Sequence, residues 1–162
     1  MNTVLYLTPS GAAYETRAYS TADLADLIHD HGLQCLTSSD QQFDYWFSPS
    51  PRGCQRRANR LATELLLATS KFSAKNVPVL RGSVVVATHD ADGDLDGLSW
   101  LQQELLVAKR QSLSKRTRRA LDRRIQREDA RQQRAADDAA RRRRGNTLRP
   151  SANHDDLVTA RS

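Results

Sequence analysis

The sequence predicts an α+β fold: a small mixed or antiparallel sheet with helices on one face, then a long basic C-terminal helix and a disordered tail. Three observations carry this expectation. Extended and helical signals follow one another in the order ββαββαβα over residues 1–108. Val84-Val85-Val86 is a continuous β-branched run that reads as a buried central strand. Across 109–149 the large apolar residues reduce to Leu113, Leu121, Ile125 and Leu148, while arginine dominates.

The elements follow in order. Thr3–Leu7 is rich in β-formers and stops at Pro9-Ser10-Gly11, a turn signal, so Tyr14–Tyr19 is its partner in a hairpin. Ser20-Thr21-Ala22-Asp23 has the form of a capping box, and Leu24, Leu27 and Ile28 follow at helical spacing, with Gly32 as the expected stop. Leu33–Leu36 and Phe43–Phe47 read as two short strands before Pro49, Pro51 and Gly53 break the chain. Ala58, Leu61, Ala62, Leu65, Leu66 and Ala68 share one face of a second helix. After the valine strand comes an acidic turn, and from Ser99 a helical pattern resumes through Leu101, Leu105, Leu106 and Ala108.

Charge divides the chain at nearly the same place. Residues 1–108 carry 8 Lys+Arg against 12 Asp+Glu, whereas 109–149 carry 16 against 5. The expected organisation is a compact domain over 1–108, an arginine-rich helical arm over 109–145 with Gly145 as its stop, and a tail over 146–162. Between Gln126 and Thr147 alanines are the only apolar side chains, too little to form a second core. There is no apolar run long enough to span a bilayer, and the first twenty residues have no basic start with an apolar block. Two cysteines make no disulfide framework, so the expected location is cytoplasmic.

The extended start, the helix opening Asn59-Arg60-Leu61-Ala62-Thr63 and the strand Leu80-Arg81-Gly82-Ser83-Val84-Val85-Val86 resemble a family of small domains of unknown function common in bacteriophages and mobile elements. The resemblance covers about residues 3–100 and implies a compact α+β domain of phage or prophage origin. It implies no activity and no catalytic residue, and the basic arm lies outside it.

On an ideal helix Arg116, Arg119, Arg123, Arg127, Arg131, Arg134 and Arg141 fall near one line, and Leu121, Ile125 and several alanines lie mostly opposite. Like charges on one face repel unless an anion lies alongside, and guanidinium forks match phosphate oxygens. The expected role is therefore non-specific contact with nucleic acid through phosphates, Leu121 and Ile125 docking the helix base onto the body or a twin. The arm has no aromatic side chain for stacking on unpaired bases, and its alanine face is too weakly apolar for a membrane surface. The competing expectation is a protein-interaction module, an adaptor or inhibitor of a host factor, using either the arm on an acidic host protein or the acidic body at Asp90, Asp92, Asp94 and Asp96. A twin docked at Leu121 and Ile125 would make the chain a homo-oligomer.

Two metal readings are weighed and set aside. Asp92-Gly93-Asp94-Leu95-Asp96-Gly97 opens like a calcium loop, but Gln103 stands where a bidentate glutamate is required. His29, His31, Cys35 and Cys54 are zinc-type ligands at a spacing that matches no standard zinc site. His89, close to Asp90 and Asp92, has neither a nucleophile nor a glycine-rich phosphate loop to work with. No catalysis, metal or cofactor is expected.

Overall fold

A computed structural model describes residues Asn2–Thr147, which divide into a first compact unit through Gln126 and a second from Arg127. In the first unit β1 (Asn2–Leu7) and β2 (Ala13–Ala18) form the expected hairpin, turned at Gly11 with φ 92°. Helix α1 (Thr21–Ile28) starts where the Asp23 carboxylate accepts the amides of Tyr19 and Ser20. Strands β3 (Gln34–Thr37) and β4 (Asp44–Phe47) pair next, and a 3-10 turn at Gly53–Arg56 leads to α2 (Arg60–Thr69). Then come β5 (Val84–His89), the two-residue β6 (Leu95–Asp96), α3 (Trp100–Gln111) and α4 (Lys115–Thr147).

All strand pairs are antiparallel, in the order β2-β1-β5-β4-β3, with β6 on the end of β5. The valine run is therefore central, and its lack of alternation has a direct cause: both faces of β5 are covered. Leu5, Val86, Tyr45 and Leu36 form one cross-strand row, on the face packed by α2, Leu106 of α3, and Leu121 and Ile125 of α4. Tyr6, Val85, Trp46 and Cys35 form the neighbouring row on the opposite face, where Leu24 and Ile28 of α1 pack. So α2, α3 and the base of α4 share a face, as expected, while α1 closes the other. Its assignment depends on register, because a strand's two faces differ by one residue.

Three boundaries differ from the expected ones. Helix α1 ends at His29, which takes the left-handed conformation (φ 62°, ψ 36°) expected of Gly32. The run from Ser99 is two helices, because Ser112–Ser114 interrupts it and the Ser114 hydroxyl accepts the Thr117 amide at 3.1 Å to restart α4. Gly145 does not stop α4, which continues to Thr147; of the expected tail, residues from 148 on lie outside the described residues.

Asn59 ties the sheet to α2. Fully buried, its Nδ2 donates to the carbonyls of Leu7 (3.1 Å) and Gly82 (2.8 Å), and its Oδ1 accepts the Ala62 amide at the helix start. Glu64 does the same among helices. Its buried carboxylate accepts Arg60 at 3.0 Å and Arg110 of α3 at 2.8 Å, and Arg60 reaches on to Asp122 of α4 at 2.8 Å.

Candidate functional site

The base of α4 is built by docking. Leu121 and Ile125, four residues apart, lie on one helix face and enter the core at 0% and 8% exposure. At about 100° per residue this turns Arg116, Arg119 and Arg123 to the far side, where all three are exposed. The arginines flanking the buried face instead bond the body: Arg118 Nη2 donates to the Arg110 carbonyl at 2.6 Å, and Arg124 Nη1 to the Ala74 carbonyl at 3.2 Å. In the second unit Arg127, Arg131, Arg134 and Arg141 are exposed in a band about 80° wide on α4. Arg134 Nε donates to the Ala130 carbonyl at 3.3 Å, within its own helix. Positive charge is densest where the helix docks: residues 109–126 hold eight Lys+Arg against one acid, Asp122, and 127–147 hold seven against four.

The acidic segment is a hairpin turn. Asp90 Oδ1 accepts the amides of Asp92 and Asp94, each at 2.9 Å, Gly93 takes φ 84°, and Asp96 Oδ1 accepts the Gly97 amide. These carboxylates organise the β5–β6 connection. The zinc-type residues are spread over α1's exit, β3 and the 3-10 turn, and no three His, Cys, Asp or Glu among the described residues group so as to hold a metal ion. Cys35 and Cys54 are both exposed free thiols. Desolvation, and then the Asp44 carboxylate, push the Cys35 thiol up from 9.0 to about 11. A thiol held protonated is a poor ligand and nucleophile. In a Cys54→Ser variant at pH 8.5, Cys35 is therefore expected to react with iodoacetamide at least about tenfold more slowly in the folded chain than in urea. Equal rates in mass-spectrometric time courses refute this.

Sequence reasoning missed an Asp–His pair. Asp44, 5% exposed on β4, accepts the Thr37 hydroxyl at 2.7 Å and lies 2.7 Å from His89 Nδ1 at the end of β5. This leaves His89 Nε2 for a cleft of about 350 Å³ that Tyr19, Trp46 and Thr88 also line. Proximity of His89 to Asp90 and Asp92 in sequence is misleading, because its partner lies 45 residues away.

A larger cavity of about 490 Å³ opens where the exit of α1, the segment after β4 and the entry to β5 meet. His29, Asp30, His31, Ser48, Arg52, Gln55, Arg81 and Ser83 line it. His29 lines it from the left-handed C-cap of α1, where its amide donates to the Ala25 carbonyl. The floor is tightly constrained. Gly82 has φ 75°, and a Cβ there would lie 2.7 Å from the Gln55 carbonyl oxygen, while Gln55 Oε1 accepts the Ser83 amide at 2.8 Å.

On the outer side of α3 Trp100 and Leu101 are 68% and 70% exposed, with Leu105 and Val107 exposed beside them and Gln103, Glu104 and Gln111 interleaved. Against family models, curated proteins and solved structures the chain finds no match. No helix among the described residues is long and apolar enough to cross a membrane.

Proposed function

We propose that this chain is a non-catalytic binding protein that contacts nucleic acid non-specifically, through phosphates, with the exposed arginines of α4. The observation that carries the reading is the docking of Leu121 and Ile125, which turns Arg116, Arg119 and Arg123 outward at the most positive stretch of the chain. A row of guanidiniums that the core holds outward is repulsive by itself and is relieved by an anionic backbone.

Anisotropy titration of a labelled random DNA duplex tests it on the full chain. If all seven arginines meet phosphates, log K falls against log salt with a slope of about −6. Replacing Arg116, Arg119 and Arg123 by Gln brings the slope to about −4, and replacing Arg127, Arg131, Arg134 and Arg141 brings it to about −3. No binding at about 50 mM salt by the folded chain, or slopes unmoved in both variants, defeats the reading.

A second reading has its own observation, the exposed large apolar side chains Trp100, Leu101, Leu105 and Val107 on α3. Exposed patches of this kind mark protein contacts. Such a contact is anchored by burial and survives salt that releases phosphates. Salt-resistant association that Leu101→Ser abolishes supports it.

A further inference from the structure

The first compact unit holds a basic cavity beside the exit of α1. Three separate segments deliver basic groups to it: His29 and His31 after α1, Arg52 before the 3-10 turn, and Arg81 before β5. We propose that this cavity is a binding site for a small phosphate monoester, recognised at its phosphate end.

Charge supports this first. Two guanidiniums and two imidazoles face a single carboxylate, Asp30, and that carboxylate is already engaged: it accepts the Ser48 hydroxyl and, at 2.9 Å, the Gly32 amide. Those two bonds hold Asp30 below the usual carboxylate range, and His31 and Arg52 act in the same direction. The carboxylate is thus held by its neighbours, and two guanidiniums against one carboxylate leave the lining net positive. An entering phosphate meets guanidinium donors suited to paired oxygens.

Preorganisation supports it next. Arg81 is anchored by its Nη1, which donates to the Arg56 carbonyl at 3.0 Å. The Gln55–Ser83 bond and the close approach of Gly82 to Gln55 fix the floor, and Ser83 Oγ lies 2.8 Å from the Tyr6 hydroxyl. These groups do not have to reorganise when a ligand binds, so less ordering cost opposes it.

Lining chemistry and volume set the ligand class. About 490 Å³ lies within the range of small-molecule sites. Ile28 and Pro51 are the large apolar lining groups, and no Phe, Tyr or Trp ring is among the lining residues to stack on a base. The Ser50 hydroxyl, beside Ser48 and Ser83 whose hydroxyls bond Asp30 and Tyr6, suits a polar, hydroxylated body such as a sugar. The phosphate could belong to a free metabolite or to the end of a nucleic-acid strand, and the experiment separates the two.

Amide chemical shifts of the isotope-labelled full chain would be followed at about 150 mM salt during titration with adenosine 5′-monophosphate, with adenosine, and with a short oligonucleotide bearing or lacking a 5′-phosphate. The expected result is saturable movement at residues 29–32, 48–55 and 81–83 with the monophosphate and none with adenosine. Movement at the same residues with the 5′-phosphorylated strand alone identifies a strand end as the source. Arg52→Gln and His31→Gln, both at exposed positions, are expected to weaken binding at least about tenfold each with the spectrum otherwise unchanged. Equal response to adenosine, movement confined to α4, no movement at all, or unaltered affinity in both variants overturns the proposal.

Discussion

Asn59→Ala is expected to lower the free energy of unfolding by at least about 3 kcal/mol. The side chain is fully buried and makes three hydrogen bonds to backbone. Losing the bond to the Ala62 amide removes the N-cap of α2, about 1 kcal/mol. The carbonyls of Leu7 and Gly82 would then be left buried with a donor gone, at about 1–3 kcal/mol each. A neighbouring relay spreads the damage: Thr63 Oγ1 donates to the Asn59 carbonyl at 2.8 Å and accepts the Leu80 amide at 3.1 Å.

Asn59→Asp isolates the donor. It keeps an oxygen for the Ala62 amide but turns another toward two carbonyl oxygens, and an ionised carboxylate without compensation is strongly disfavoured there. Its folded-state pKa must then lie above the unfolded value of about 3.9. The sign follows. Between those two values the folded state binds more protons than the unfolded one, so stability falls as pH rises, by about 1.4 kcal/mol per unit, and levels off above the folded pKa. Urea unfolding at pH 5 and pH 8 reads this, with the Asn59→Asp deficit expected to grow toward pH 8. Both variants within about 1 kcal/mol of the parent at either pH would show that Asn59 does not join the sheet to the helix.

What is legible in the sequence here is what local chemistry decides. The hairpin at Pro9-Ser10-Gly11, the two-faced burial of Val84–Val86 and the i, i+4 pair Leu121 and Ile125 are consequences of neighbours in the chain, and each appears in the structure. The face that α1 covers is not legible, since it depends on strand register. Nor is the Asp44–His89 pair, nor the burial of Glu64 between Arg60 and Arg110, because nothing near His89 or Glu64 in sequence reports a partner 45 or 46 residues away. The cavity was hidden for the same reason: His29 and His31 read as helix-end residues, and Arg52 and Arg81 become their neighbours only when β4 and β5 pair. The break between α3 and α4 was not legible either: Ser112–Ser114 lie inside the basic stretch that reads as one arm, and only the structure shows the Ser114 hydroxyl accepting the Thr117 amide to restart the helix.

Where the body ends has the second large consequence. The composition of the chain suggests a boundary at Ala108, but the first compact unit runs through Gln126. A chain cut after Ala108 is expected to lose cooperative folding, whereas one cut after Gln126 keeps it. The shorter cut removes Leu121 and Ile125 from the core, at about 1.5–3 kcal/mol each before any cavity penalty. It also removes Arg110 from the buried Glu64 carboxylate and Asp122 from Arg60. Breaking a buried ion pair by removing one partner costs several kcal/mol when both groups are buried. Arg110 is half exposed, so the cost here is smaller. Together the losses approach the whole stability of a domain of this size, about 5–15 kcal/mol. The cut after Gln126 spares every one of these contacts and also keeps Arg116, Arg119 and Arg123. Near-ultraviolet dichroism and thermal melting check the pair: a sigmoidal melt for the longer fragment, and a broad or absent one with dye-binding for the shorter. If the fragment ending at Ala108 melts as cooperatively as the full chain, the base of α4 is an accessory rather than part of the core. If the longer fragment still binds duplex with a salt slope of about −3, the docked arginines alone make a phosphate contact.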